Sequence, residues 1–154
     1  MGAALTLLAR RDRSRRELRE RLAARFPDTD LEPLLDELTR LGYLDDRRLA
    51  RRLAEELATR RHHGPRRLRH ELARRGLDAE RVAEAVAPHA GADRVREQAL
   101  AATRAYLKGR SPDDDATLRR LAGYLGRRGF PEGAIRAMVH LIRQGSVWDN
   151  PQQE

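Results

Sequence analysis

One segment occurs three times in this chain, and a chain that repeats itself at such spacing has few folds open to it. Ser14–Phe26 reads SRRELRERLAARF, Gly64–Leu77 reads GPRRLRHELARRGL, and Thr117–Phe130 reads TLRRLAGYLGRRGF. Placing Leu18 on Leu68 and Leu121 brings Leu22 onto Leu72 and Leu125, and Arg25 onto Arg75 and Arg128. With one gap beside Phe26, the match runs on to Leu31, Val82 and Ile135, then to Leu35, Val86 and Val139. A period of roughly 50 residues marks an array of similar units packed side by side. Such arrays display a long surface and seldom enclose a catalytic cleft.

The punctuation between apolar positions is helical. Ser14-Arg15-Arg16-Glu17 has the form of a capping box, in which serine and glutamate each satisfy a backbone N–H of the other's residue. Asp30, Asp46 and Asp78 stand where N-caps are needed, and Pro65, Pro112 and Pro131 suit first-turn positions that lack an N–H partner. Gly42, Gly76 and Gly129 follow apolar-periodic stretches and fit the left-handed residue that ends a helix. No stretch alternates with β-branched residues.

The spacing predicts nine helices in three sets: about 3–12, 14–25 and 30–41; about 46–60, 65–75 and 79–87; about 92–108, 115–128 and 132–143. The fold class is all-α, with three tandem three-helix repeats over 3–42, 43–90 and 91–143. Leu31, Leu34, Leu35, Leu38 and Leu41 form one inner stripe, Leu49, Leu53 and Leu57 another, and Ile135, Met138, Val139 and Ile142 a third. Tyr43 and Leu44 are expected inward, with Asp46 capping the next helix. The polar tail 144–154, with its lone Trp148, is read as disordered.

Composition limits how such units can hold together. Aromatic residues are only 4% of the 154, so the core is built of Leu, Ala and Val. Each buried aliphatic side chain contributes about 1.5–3 kcal/mol, which leaves a unit with few such positions marginal alone. Neighbouring units are therefore expected to share cores.

Lys and Arg number 32 against 24 Asp and Glu, a net charge of +8, and Lys108 is the single lysine. A surface this basic favours a polyanion or an acidic protein face. The absence of cysteine excludes disulfides and thiolate metal sites. No apolar run approaches the ~20 residues of a membrane span. Met1-Gly2…Thr6 fits the loose myristoylation pattern, but Leu5 and Leu8 read better as the inner face of a first helix.

The densest positive run is Arg60, Arg61, Arg66, Arg67, Arg69, Arg74 and Arg75, opposed only by Glu71. Around the Leu68/Leu72 stripe these guanidiniums point outward, as planar donors suited to phosphate or carboxylate. In the first copy, Arg16/Glu20 and Glu17/Arg21 allow i,i+4 pairs worth about 0.3–0.5 kcal/mol, so much of that face neutralises itself. Arg10, Arg11 and Arg13 just before it are less balanced, and Arg127 and Arg128 close the third copy.

His62, His63 and His70 lack the convergent partners of a zinc site and are read as finishing helix ends, where a cationic ring favours the dipole. The acidic run Asp113–Asp115 is read as capping. No phosphate loop or nucleophile elbow is present. The expectation is a binding protein without catalytic residues or cofactor.

In their order, Leu7-Leu8-Ala9-Arg10-Arg11…Ser14-Arg15-Arg16-Glu17-Leu18, Gly42-Tyr43-Leu44-Asp45-Asp46…Leu49-Ala50, Arg60…Gly64…Arg67-Leu68…Glu71-Leu72…Arg75-Gly76-Leu77 and Leu125…Arg128-Gly129-Phe130 resemble the RecX family of bacterial recombination regulators. The resemblance covers roughly residues 4–143. Phe26-Pro27 departs from it where a Lys-Gly-like helix end is usual, and Leu49 where an aromatic is common.

The resemblance implies three tandem three-helix repeats in an elongated, curved module. It also implies a protein that lodges in the RecA–single-stranded-DNA filament, blocks its extension or promotes its disassembly, and so lowers ATP hydrolysis, strand exchange and co-protease activity. A cytoplasmic monomer is expected, the lack of cysteine fitting a reducing cytosol. The residues expected to meet RecA or DNA are Arg10, Arg11, Arg13, Arg60, Arg61, Arg66, Arg67, Arg74, Arg75, Arg127 and Arg128, with Arg66, Arg67, Arg74, Arg75, Arg10, Arg11 and Arg13 contributing most and reversal of Arg66 and Arg67 to Glu as the test. The competing reading is a direct DNA-binding helical protein, either helix-turn-helix-like or sequence-independent. The first form is disfavoured because no helix gathers the Asn, Gln and Arg that read base edges.

Overall fold

The structure, a computed structural model, describes residues 1–110 and 114–148. Pro112, Asp113 and the tail residues 149–154, for which expectations were stated above, lie outside the described residues. Among the described residues the chain is all-α, with no strand. The first set is α1 (Gly2–Arg10), α2 (Arg15–Ala23) and α3 (Glu32–Arg40). The second is α4 (Asp46–Arg60), α5 (Pro65–Arg74) and α6 (Ala79–Val86), and the third α7 (Ala92–Leu107), α8 (Asp115–Arg127) and α9 (Glu132–Arg143). Short 3-10 turns occupy Ala87–His89 and Ser146–Trp148.

The helix ends follow from local chemistry. Ser14 Oγ accepts from Glu17 N–H at 3.1 Å while Glu17 Oε2 accepts from Ser14 N–H at 3.0 Å, completing the capping box. Asp78 Oδ1 accepts from Arg81 N–H at 2.9 Å and caps α6. Gly42, Gly76 and Gly129 all take positive φ. The expectation for Asp46 is corrected. Asp45, one residue earlier, accepts from Arg48 N–H at 2.8 Å and so caps α4. Asp46 reaches instead to α2, where Oδ1 accepts from Arg15 N–H at 2.9 Å. Burial raises the Asp46 carboxyl above its ordinary range, with the Arg15 N–H opposing.

The chain forms two compact units, each with its own set of residues. Unit 1 takes Met1–Glu55 and Arg69–Ala85, and unit 2 takes Glu56–Leu68 and Val86 onward, so α4 and α5 are each divided between them. In unit 1, Ala4, Leu18, Leu22, Leu31, Leu35, Leu38 and Leu44 form a buried cluster, with Leu5, Leu7, Leu8 and Leu34 packed against it. In unit 2, Val95, Ala99, Ala102, Leu118, Leu121, Leu125, Phe130, Met138 and Ile142 do the same. All six aligned leucines of the repeated segment, Leu18/Leu22, Leu68/Leu72 and Leu121/Leu125, are buried.

Three expectations about inner faces change. Leu41 caps the end of α3 and is half-exposed, and Tyr43 points outward. Gly42 turns the chain with φ +77°, so the N–H groups of Tyr43 and Leu44 both go to Leu38 O (2.9 and 3.1 Å) and only Leu44 is carried inward. On α4 the fully buried residues are Leu49, Ala50, Ala54 and Ala58, while Leu53 and Leu57 stand at the margin. The buried face of α4 thus runs through Leu49 and the alanines one residue beyond Leu49, Leu53 and Leu57.

The tail also begins with ordered structure. Val147 is 2% exposed, in the core of unit 2, and its carbonyl accepts from Arg104 Nε at 2.8 Å.

Candidate partner interface

The N-terminal end of one segment copy docks on the C-terminal end of the next, and this joint is built twice. In unit 1, Ser14 Oγ donates to Arg75 O at 2.5 Å. The Arg75 guanidinium grips Glu17 at 2.6 and 3.1 Å and donates to Asp12 O at 2.9 Å. Burial alone would raise the Glu17 carboxyl. The hydrogen bonds from Arg75 and Ser14 N–H, with the charges of Arg75 and Arg11, outweigh it and hold the carboxyl below its ordinary value.

Ionised Glu17 therefore stabilises unit 1 at neutral pH, and this contribution is lost as pH falls through the folded-state value, below the ordinary glutamate range. Thermal melts of the wild type and Glu17→Gln should differ by about 2 kcal/mol at pH 7, and the difference should shrink as pH falls below the ordinary glutamate range. A constant difference across that range removes Glu17 ionisation as the cause.

In unit 2 the partners are mostly backbone. Gly64 N–H donates to Arg128 O at 2.7 Å and Arg66 N–H to Gly129 O at 3.3 Å. Arg128 Nη1 donates to Arg61 O at 2.6 Å, and its guanidinium lies 5.0 Å from the centre of the Tyr124 ring. Arg66 Nη2 donates to Gly126 O at 3.0 Å. A Cβ on Gly64 would stand 2.7 Å from the Gly129 carbonyl, and one on Gly129 would strike Arg67 backbone and side chain. Two basic turns are thus locked together.

Arg75 and Arg128, aligned in the repeat, do the same work: each donates to a carbonyl just ahead of the helix it clamps. Arg25, the third aligned arginine, lies 5.5 Å from the centre of its neighbour Phe26.

This geometry sorts the expected binding residues. Arg75 is a joint residue and not a free cation; its side chain is 26% exposed and Glu17 holds it. Arg128 and Arg66 keep exposed edges but spend donors on Arg61 O and Gly126 O. Arg67 is half-buried, with its backbone against Gly129. Arg74 pairs loosely with Glu71 at 3.6 Å. Arg11 reaches Glu17 at 3.5 Å, and Arg13 donates from Nε to Leu7 O at 3.4 Å. Burial and the Arg11 charge lower the pKa of Arg13.

Arg10, Arg60, Arg61 and Arg127 are exposed, and their side chains have no ion-pair partner among the described residues. Arg60, Arg61, Arg66, Arg127 and Arg128 are gathered by the unit 2 joint. Arg10, Arg11, Arg13, Arg74 and Arg75 belong to unit 1, where Arg11 and Arg75 both reach Glu17 and Arg13 lies near enough to feel their charge.

The remaining charges of unit 1 are largely paired. Arg15 meets Glu32 and Asp36 at 2.6 and 2.7 Å, Arg47 and Arg51 share Glu84, and Arg52 takes Asp12 at 2.5 Å. Arg16 pairs with Glu20 as expected, whereas Glu17 goes to Arg75 instead of Arg21. A cavity of about 400 Å³ in unit 1 is lined by Arg15, Arg19, Glu32, Asp46, Asp78 and Arg81. Carboxylates hold its arginines, so it offers an anion little.

His62 also differs from expectation: burial first, then the Arg128 charge, lowers its pKa, which favours a neutral ring. Its φ of +53° marks the left-handed turn after α4. Among the described residues no His, Cys, Asp or Glu cluster could hold a metal ion, and no helix is long and apolar enough to cross a membrane.

Fold and surface together define a basic, all-helical protein built from jointed three-helix modules. Residues 1–38 match the model of the RecX first three-helix domain, and residues 45–86 that of the second. Regulatory protein RecX of Thermus thermophilus is 47% identical over 144 residues, covering 94% of this chain and 92% of its own. Its Corynebacterium efficiens namesake is 41% identical over 138 residues, covering 84% and 65%. The crystal structure of RecX from Lactobacillus salivarius superposes with a TM-score of 0.76 at 19% identity, over 93% of this chain and 94% of that one. The chain belongs to the RecX family of regulatory proteins.

Proposed function

We propose that this protein restrains the RecA recombinase. It binds the RecA–single-stranded-DNA filament in the cytoplasm as a monomer, blocks extension and lowers the filament's ATP hydrolysis. The family resemblance supplies the partner. The observation that carries the reading is the unit 2 cluster, where Arg60, Arg61 and Arg127 stand without an ion-pair partner among the described residues, on a frame fixed by backbone hydrogen bonds. Guanidiniums held this way suit the phosphates of a filament-bound strand and need no particular base.

The test adds purified protein to RecA on single-stranded DNA and follows ATP hydrolysis. Inhibition at fewer protein molecules than RecA protomers is the expected result. Unchanged hydrolysis overturns the proposal.

The same cluster also favours a second reading, sequence-independent binding to DNA alone, because phosphate attraction does not require RecA. Tight, salt-dependent binding to bare DNA with no effect on the filament selects that reading.

A further inference from the structure

We propose that the groove beside Tyr43 in unit 1 docks an acidic protein face that offers one aliphatic or aromatic side chain. The inference rests on the proposed function: it assigns the filament's protein component to unit 1, as distinct from the phosphate-binding cluster of unit 2. Tyr43 is 55% exposed, the highest value among the large apolar side chains described. Its position is nevertheless fixed. Its N–H is bonded to Leu38 O, and Arg48 Nη2 donates to Gly42 O at 3.2 Å, bracing the turn that presents it.

Tyr43 lines a groove of about 440 Å³ together with Leu5, Leu8 and Ala9 of α1. One wall is aliphatic and the other aromatic, which suits insertion of an apolar side chain. Asp12 and Arg48 stand at its edge, and a smaller cavity of about 130 Å³ on which Tyr43 also borders adds Arg13 and Asp45.

The charges at the edge say what kind of partner fits. Arg52 neutralises Asp12 at 2.5 Å, and Asp45 is engaged in capping α4. Arg13 and Arg48 each spend one guanidinium nitrogen on a backbone carbonyl and keep the others for a carboxylate. A tyrosine flanked by arginines over a preformed apolar recess is the composition of a binding hot spot. A protein face fits better than nucleic acid here because Leu5 and Leu8 wall the recess with aliphatic surface, which suits an apolar side chain.

Tyr43→Ser in the full chain tests this, since an exposed side chain can be removed without disturbing the core. The protein concentration giving half-inhibition of RecA ATP hydrolysis should rise about tenfold, with affinity for free single-stranded DNA within about twofold of wild type. Tyr43→Phe, which keeps the ring, should retain most of the inhibition. Inhibition unchanged in Tyr43→Ser overturns the docking site and leaves the proposed function standing. An equal loss of DNA affinity makes Tyr43 a base-stacking residue and also overturns it. A wild type that leaves RecA unaffected removes the proposed function and this inference together.

Discussion

Gly129→Ala should lower the melting temperature by roughly 10 °C, the largest effect expected of any single methyl group in this chain. Two costs coincide. The residue has φ +86°, a conformation that costs an L side chain about 1–2 kcal/mol. Its new Cβ would also stand 2.6 Å from Arg67 Cβ and closer still to the Arg67 amide nitrogen. Backbone cannot move aside as a flexible side-chain end can, so overpacking adds about 1–3 kcal/mol.

Gly145→Ala separates the two terms. It shares the positive φ, at +75°, but opens onto free space, so only about 1 kcal/mol is expected there. Gly64→Ala supplies the complementary case, a clash 2.7 Å from the Gly129 carbonyl at a residue without positive φ. Thermal melts by circular dichroism read all three. Equal destabilisation by Gly129→Ala and Gly145→Ala would falsify the close joint of unit 2.

Reversing Arg60, Arg61 and Arg127 to Glu together should cut affinity for single-stranded DNA by about two orders of magnitude at 0.1 M salt. If each contacts one phosphate, the slope of log affinity against log salt flattens by about 2. Filament inhibition should weaken in parallel. The melting temperature should hardly move, because none of the three side chains has an ion-pair partner among the described residues.

These positions make a cleaner test than Arg66 and Arg67, the pair whose reversal the sequence suggests. Arg66 donates to Gly126 O, and the backbone of Arg67 lies against Gly129. Reversal there disturbs the joint as well as the charge. An unchanged salt slope in the triple variant excludes phosphate contact by the cluster.

The helices were legible in the sequence because their signals are local. A capping box, a glycine needed for positive φ and leucines four residues apart lie within one helix length, and each fell where expected. The roles of charged residues were less legible, because their partners are distant in the chain. Nothing near Arg75 in sequence reveals that Glu17, 58 residues away, holds it. Asp46 has the ordinary appearance of an N-cap, yet it serves a helix 31 residues earlier.

Tyr43 and Leu44 are adjacent apolar residues, and only the φ of Gly42 and the shared acceptor Leu38 O decide which one turns inward. The candidate cluster was half legible: its arginines stood out by number. That Arg128 belongs to the frame while Arg127 has no ion-pair partner among the described residues depends on a carbonyl 67 residues away.

The two joints place unequal demands on mutation. Six of their hydrogen-bond acceptors are main-chain carbonyls: Asp12 O, Arg61 O, Arg75 O, Gly126 O, Arg128 O and Gly129 O. A carbonyl is present whatever side chain its residue carries. The joints therefore constrain the arginines that donate and the glycines that admit close approach, and they place no demand on which side chain stands at Asp12, Arg61 and Gly126, which only accept. A lineage can replace most of the letters in such loops and still inherit the same connection between modules.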